Sequence, residues 1–386
     1  MKIALFTDTY LPQLNGVAIY LSDAVRELSK EHEVLLFFPA EGGFAVEDVL
    51  PNLRIYRMPS LSFPFYEGYR VARMEYPRIC HILEKEKPDI VHAHAPINLG
   101  FQGLMAAKRK KIPCMITYHT HFPDYVPHLL KVKLPGLLKG ASDFTVKKMI
   151  KHSFKMADAV AAPTYELVEE LRSYGLRNVV YLPNGIDFSK FRCTKRQAES
   201  FRKRHRIPKT KKVVLYLGRI SFEKKLDALL QAFSRIKRTD AVLVLAGGGP
   251  GLESLRDFAK RLKTRNVIFT GFVRNPAHAY ACADLFVSPS DTETFGLTFI
   301  EAMYWGLPVI GVRKFGAKEV INDMRNGLLV EPGDGPGLAK AMETLIGQKK
   351  LRTAMGLEGK ETAKGYSIRN SIEKTLDIYQ DLLSAR

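Results

Sequence analysis

Strand-length apolar runs, each separated from the next by helical spacing or a turn, recur along this whole chain. In the first half they read KIALFT (2–7), EVLLFFP (33–39), LRIYRM (53–58), DIVHAHA (89–95), PCMITYH (113–119), AVAAPT (159–164) and VVYLPN (179–184). In the second half they read VVLYLG (213–218), AVLVLAG (241–247), NVIFTGF (266–272), DLFVSPS (284–290), PVIGV (308–312) and GLLVEPG (327–333). Continuously apolar strands need cover on both faces, so this pattern calls for parallel sheets sandwiched between helices. At 386 residues the chain is long for one such unit and suits two. We expect an α/β chain of two doubly wound domains, 1–185 and 186–366, joined near LPNGIDFSKF (182–191). Ile368, Ile372, Leu376, Tyr379 and Leu383 then fall on one stripe, giving a final amphipathic helix over 367–386 that can cross back to the first domain. In open sheets ligands bind beyond the carboxyl ends of the strands, and the cleft between two such domains is the expected site.

The loop and helix after DLFVSPS carry an unusual pair of acids. In SDTETFGLTFIEAM (290–303) an apolar segment is bracketed by Glu293, in the strand-to-helix loop, and Glu301, expected about two turns inside the helix. Backbone N–H groups near Phe295, Gly296 and Leu297 would form the helix start, a ready site for a phosphate. Glu293 can then accept from hydroxyls of whatever that phosphate carries, and Glu301 from a further hydroxyl. Simple charge complementarity at a helix start explains the same spacing equally well. Upstream, LGRISFEKKLD (217–227) leaves a strand through Gly218 and presents Arg219 and Lys224, a fork and a point charge suited to a diphosphate. With that pair added, the phosphate reading is the better one. AGGGPG (246–251) reads equally as a phosphate contact or a tight turn.

Together these segments resemble retaining glycosyltransferases of the GT-B fold, most of all glycosyltransferase family four. ETFGLTFIEAM is similar to that family's E-x7-E signature, GRISFEKKLD to its G-R-x4-K segment, and FTDTYLPQLNGVA (6–18) to its N-terminal loop. One departure is Lys225, which stands where the family usually has glycine. The resemblance implies two Rossmann-like domains facing across a cleft, the first binding the acceptor and the second a nucleotide-diphosphate sugar, UDP-hexose or GDP-mannose. It implies transfer with retained configuration, no cofactor beyond that co-substrate and no metal. Glu293 would bind the sugar's hydroxyls and Glu301 the ribose. Arg219 and Lys224 would hold the diphosphate, Gly16 would approach the phosphates, and backbone near Val273 would meet the base. YHTHFPDY is similar to the family's H-T segment, which makes His119 the residue beside the donor sugar. Asp124 is a candidate base or acceptor contact, and equally a turn residue after Pro123.

The histidines also permit a rival reading. His92 and His94, like His119 and His121, are two apart on strand-like segments, which puts both rings of a pair on one face, as in a metal-dependent hydrolase. No bridging carboxylate or third-ligand spacing accompanies them, and His92, His94 and His128 read at least as well as packed strand-end residues. An epimerase of the same fold is a further alternative.

Charge supplies the remaining argument. The formal net charge is +19, concentrated in two segments. Residues 108–155 carry eleven basic and two acidic residues, and 192–212 carry ten and one. Such surfaces suit an anionic partner. In DFTVKKMIKHSFKMA (143–157), Val146, Met149, Ile150, Phe154 and Ala157 share a helical face, with Lys147, Lys148, Lys151 and Lys155 around the rest. That is equally a membrane-surface helix and a core helix with a solvated basic face. The similarity of YHTHFPDYVPHLL to lipid-glycosylating members favours a lipid acceptor such as diacylglycerol at an anionic membrane, over a soluble sugar, polyol phosphate or polysaccharide. The segment 192–212 offers only Phe201 as a stacking platform, so no nucleic acid is expected. Four scattered cysteines, no run near the ~20 apolar residues of a membrane span and no signal peptide fit a cytoplasmic protein, peripheral on the inner face of the membrane.

Overall fold

The computed structural model describes residues 1–385 except 14, 64–68, 95–96 and 122–135, and of 136–144 the backbone alone. It divides into two compact units, Met1–Gly185 with Ile368–Arg386, and Ile186–Ser367.

The first unit is built on nine strands: β1 (Lys2–Thr7), β2 (Glu33–Ala40), β3 (Ala45–Leu50), β4 (Leu53–Ser62), β5 (Arg70–Ala72), β6 (Ile90–His94), β7 (Cys114–Thr117), β8 (Ala159–Ala162) and β9 (Val179–Tyr181). Their order is β3-β4-β2-β1-β6-β7-β8-β9, with β5 beside β4. All pairings are parallel except those of β3 and β5 with β4. Phe6, Phe37 and Tyr56 sit in register on adjacent strands and stack at 4.2 and 4.4 Å, a ladder of rings across one sheet face. The chain winds one way from β1 through β2 to β4, then reverses to place β6 on the other side of β1.

The final helix, Ile368–Ser384, belongs to this unit although the whole second unit precedes it in sequence. It buries Ile368, Ser371, Ile372, Thr375 and Tyr379. Ser371 Oγ donates to the Pro183 carbonyl at 2.8 Å and lies 3.2 Å from the Tyr20 hydroxyl on the Gly16–Leu28 helix.

The second unit holds β10 (Lys212–Leu217), β11 (Ala241–Ala246), β12 (Val267–Gly271), β13 (Leu285–Val287), β14 (Val309–Val312) and β15 (Gly327–Val330). These are parallel throughout, in the order β12-β11-β10-β13-β14-β15, with an apolar core on each face. Here the winding reverses between β10 and β13. Both units are thus doubly wound, as the strand pattern requires.

One helix corrects the sequence reading. It runs Gly136–Phe154, and Val146, Ile150 and Phe154 are buried, as is Ala157 just past its end. Met149 is instead 58% exposed, because helical geometry turns it away from the stripe those residues share. The apolar stripe therefore faces this unit's own core, and Lys147, Lys148 and Lys155 lie on the solvated side. Phe201 is likewise buried in the second unit's core and is no stacking platform.

Candidate functional site

In a doubly wound sheet the loops on either side of the winding reversal splay apart and leave a crevice at the strands' carboxyl ends. In the second unit those loops follow β10 and β13, which pair through Val214–Leu285 and Leu215–Phe286. They carry Arg219 and Lys224 on one side and Glu293 on the other. The structure joins them by an ion pair between Lys224 Nζ and Glu293 Oε2, whose side chains are 22% and 24% exposed. A second pair, Lys225 Nζ with Asp291 Oδ2, runs beside it. Lys225 sits at φ +51, ψ +38, the left-handed conformation in which the family carries glycine. The loop thus holds a glycine-like backbone with a lysine side chain that Asp291 engages.

Glycine sets the shape of the rest of this rim. Gly296, at φ +82, precedes the Leu297–Tyr304 helix, and a Cβ there would come 2.7 Å from Phe299 Cδ2. The glycine turn after β11 packs backbone to backbone on the loop after β10. A Cβ on Gly247 would lie 1.8 Å from the Gly218 carbonyl oxygen, and Ile220 N–H donates to the Gly248 carbonyl at 2.8 Å. AGGGPG therefore serves close packing of two loops. The main chain of Glu293 is fixed as well, its carbonyl accepting from Gly316 N–H at 2.8 Å.

Glu301 is the fifth residue of its helix, one turn in and not the two expected, because the helix begins only at Leu297. Its Oε2 accepts from the Tyr280 hydroxyl at 2.7 Å, and burial pushes its carboxyl up to about 7. Phe295 is buried, Leu297 and Val273 are partly buried, and Phe272 beside Val273 is 64% exposed.

In the first unit, Gly16 opens the Gly16–Leu28 helix after β1, where Asn15 caps by accepting from Ala18 N–H at 2.9 Å. His94 ends β6 on the other side of the winding reversal, and His119 lies two residues past β7. The histidines divide differently from their pairing in sequence. The rings of His92 and His94 pack at 3.9 Å, tilted by 36°, and His94 Nδ1 is 2.9 Å from His119 Nε2. His121 turns elsewhere, 3.0 Å from Glu170 Oε1. Burial holds His92 and His119 down to about 3, and His94 well below its ordinary value, so all three rings are neutral at pH 7. No group of three or more His, Cys, Asp or Glu able to hold a metal ion occurs among the described residues. Asp124 and His128 lie outside the described residues.

The residues that sequence reasoning missed are partners of those it found. Tyr280, Asp291 and Tyr379 carry no motif of their own; the alternation of Asp291 with Glu293, matching Lys224 with Lys225, is the one available signal.

The profile described as Glycosyltransferase Family 4 matches residues 14–190, and that described as Glycosyl transferases group 1 matches 197–362. Alpha-monoglucosyldiacylglycerol synthase of Streptococcus pneumoniae is 35% identical over 342 residues, 85% of this chain and 75% of that protein. A sulfoquinovosyl transferase of Arabidopsis thaliana is 28% identical over 383 residues, 97% of this chain and 72% of that one. The fold is also that of HepE from Anabaena, solved with UDP-glucose, at TM-score 0.77 and 17% identity over the full length of both chains. With a matching profile on each half, this overall identity and two Rossmann-like units, the chain belongs to the family-four glycosyltransferases of the GT-B fold.

Proposed function

We propose that this enzyme moves a hexose from a nucleoside-diphosphate sugar to a membrane lipid of the diacylglycerol type, with retained configuration and without a metal ion. The observation that carries the donor half is the Lys224–Glu293 ion pair at the winding reversal of the second unit, with Arg219 on the same loop. A nucleoside-diphosphate sugar offers a partner to each member of that pair: the phosphates to Lys224 and Arg219, the sugar hydroxyls to Glu293. Neither charge is then left unpaired when the pair opens, the condition that partly buried ions impose. As the bond from the anomeric carbon to the diphosphate breaks, negative charge grows on the leaving phosphate, and cations already in place stabilise it at that moment. The acceptor hydroxyl enters from the face the diphosphate leaves, and a phosphate oxygen takes its proton. Glu301 holds the ribose, main chain near Val273 meets the base, Gly16 lies against the phosphates and His119 orients the sugar.

The acceptor half rests on the name of one relative, a monoglucosyldiacylglycerol synthase, and on the basic face of the Gly136–Phe154 helix. There Lys147, Lys148 and Lys155 are exposed, Lys151 is partly so, and Met149 is exposed on the same helix. Anionic headgroups attract such a face at about 1 kcal/mol per cation. No described helix is long and apolar enough to cross a membrane, and we place the protein on the cytoplasmic face as a peripheral enzyme.

A panel of UDP-hexoses and GDP-mannose, incubated in excess chelator with and without anionic vesicles containing diacylglycerol, tests the whole reading. Turnover of one donor that requires vesicles and survives chelation supports it. Turnover indifferent to vesicles moves the acceptor into solution, and turnover only with added metal overturns the electrostatic account of the leaving group.

A further inference from the structure

The final helix reaches into the histidine cluster. Tyr379 is fully buried, and its hydroxyl lies 2.6 Å from His92 Nδ1. The other nitrogen of that ring, Nε2, is 2.7 Å from Thr117 Oγ1. Both nitrogens of His92 are therefore engaged by hydroxyls, which fixes the ring's plane. The His92 ring packs on His94 at a tilt of 36°, with centroids 3.9 Å apart, and His94 Nδ1 meets His119 Nε2 at 2.9 Å. Tyr20, whose hydroxyl meets Ser371 of the same final helix, packs its ring 5.6 Å from that of His119. All these groups are buried.

Two neutral imidazoles that face each other through one nitrogen apiece share a single proton, so the tautomer of His94 decides whether His119 Nε2 accepts or donates. The plane of His94 is set in turn by its close, tilted contact with the His92 ring and its near-parallel packing on His119. We propose that Tyr379, His92 and His94 are positioning residues that fix the ring plane and tautomer of His119 from the C-terminal helix. The inference rests on the reading of His119 as a site residue. It adds that the final helix, which bears none of the family motifs, acts on the reaction through a relay of rings.

The chain of contacts is Tyr379 to His92 by hydrogen bond, His92 to His94 by ring-to-ring packing, and His94 to His119 by hydrogen bond. Removing the Tyr379 hydroxyl leaves His92 Nδ1 buried without its partner, so the ring turns or changes tautomer, and the close packing on His94 passes that change on. A merely structural tyrosine would disturb His92 and go no further.

The test uses full-length protein labelled with 15N-histidine, in which ring-nitrogen shifts report the tautomer of each assigned histidine. We expect Tyr379→Phe to shift the ring signals of both His92 and His119 and to lower kcat about tenfold, with donor KM within about twofold, as misplacement of a bound group does. Thr117→Val, which removes the other partner of His92, should act in the same direction, and Thr117→Ser, which keeps the hydroxyl, should stay near wild type. This series decides the matter if Tyr379→Phe does not fold. An unchanged His119 signal in Tyr379→Phe and Thr117→Val overturns the proposal, as does unchanged kcat. His119→Ala separates the two readings. If that variant keeps full activity, the assignment of His119 to the site fails, while the His119 ring signal in Tyr379→Phe still decides whether the relay exists.

Discussion

Glu293 and Glu301 stand eight residues apart and meet opposite surroundings. Glu293 faces Lys224 across the crevice, so Glu293→Ala removes the proposed contact to the sugar together with the Lys224–Glu293 ion pair. Transfer should fall by about a hundredfold or more, the scale of losing one preorganised charged contact, with an unchanged circular dichroism spectrum. Activity near wild type would remove Glu293 from the site. Glu301 has a tyrosine hydroxyl in place of a cation, and burial raises its carboxyl from the ordinary 4.5 to about 7. Between those two values the folded glutamate keeps a proton that the unfolded one has released. Stability from this group is thus present below pH 4.5 and is lost as pH rises through 7, by up to about 3 kcal/mol. Thermal melts at pH 5 and pH 8 should show that loss in the wild type, and Glu301→Gln should remove it. The two acids were legible in the sequence because a local apolar segment sets them off. Tyr280 was not, because a partner chosen by folding leaves no trace in nearby spacing, and Asp291 was signalled only by its alternation with Glu293.

At the scale of elements, the loop after β10 keeps a left-handed residue at Lys225 without glycine. A β-branched side chain tolerates that backbone far less well than lysine. Lys225→Val should destabilise the second unit by about 1–2 kcal/mol, while Lys225→Gly should stay within about 1 kcal/mol, relief of strain offsetting a more flexible unfolded chain. Denaturant titrations of the two variants check this, and equal midpoints would show that the loop relaxes out of the left-handed region. The same backbone explains why the departure from the family pattern at 225 leaves the crevice intact. Strands buried on both faces announced themselves as unbroken apolar runs, and every one expected is present. β3 and β5 were missed because they form a hairpin extension of β4 outside the sandwich. β3 is exposed from Val46 to Leu50, and its Glu47 and Asp48 pair with Arg57 and Arg54. The Gly136–Phe154 helix marks another limit: a helical stripe says that something covers it, and Val146, Ile150 and Phe154 show that here the cover is the domain itself.

Across the whole molecule, His92 and His119 in the first unit and Glu301 in the second contribute to stability with opposite dependence on pH. His92 and His119 are held neutral down to about 3 in the first unit, whereas unfolded histidine takes up a proton near 6.5. At these two rings the unfolded state therefore binds more protons between those values, and their contribution to stability grows as pH rises through them and is kept above 6.5, against the opposite contribution of Asp8, whose buried carboxyl is pushed up in the same unit. Acidification from pH 7 to pH 5 should weaken the first unit while Glu301 strengthens the second. Calorimetry at the two pH values should show the transitions moving in opposite directions, the second identified by its response to Glu301→Gln; parallel movement would mean that the units unfold as one. The two-unit division was legible from strand repeats, and the final helix from its apolar stripe, whereas the bond it makes to His92 was not. That bond spans 287 residues of sequence. A ribosome adding about 5–20 residues per second needs about 15–60 s to pass from one partner to the other. During that interval the second unit, contiguous from Ile186 to Ser367, is made in full, while the first waits with the seat of its last helix uncovered. The half of the enzyme that leaves the ribosome first is the half that finishes folding last, and that uncovered seat is where a nascent chain of this kind is open to chaperones and to its neighbours.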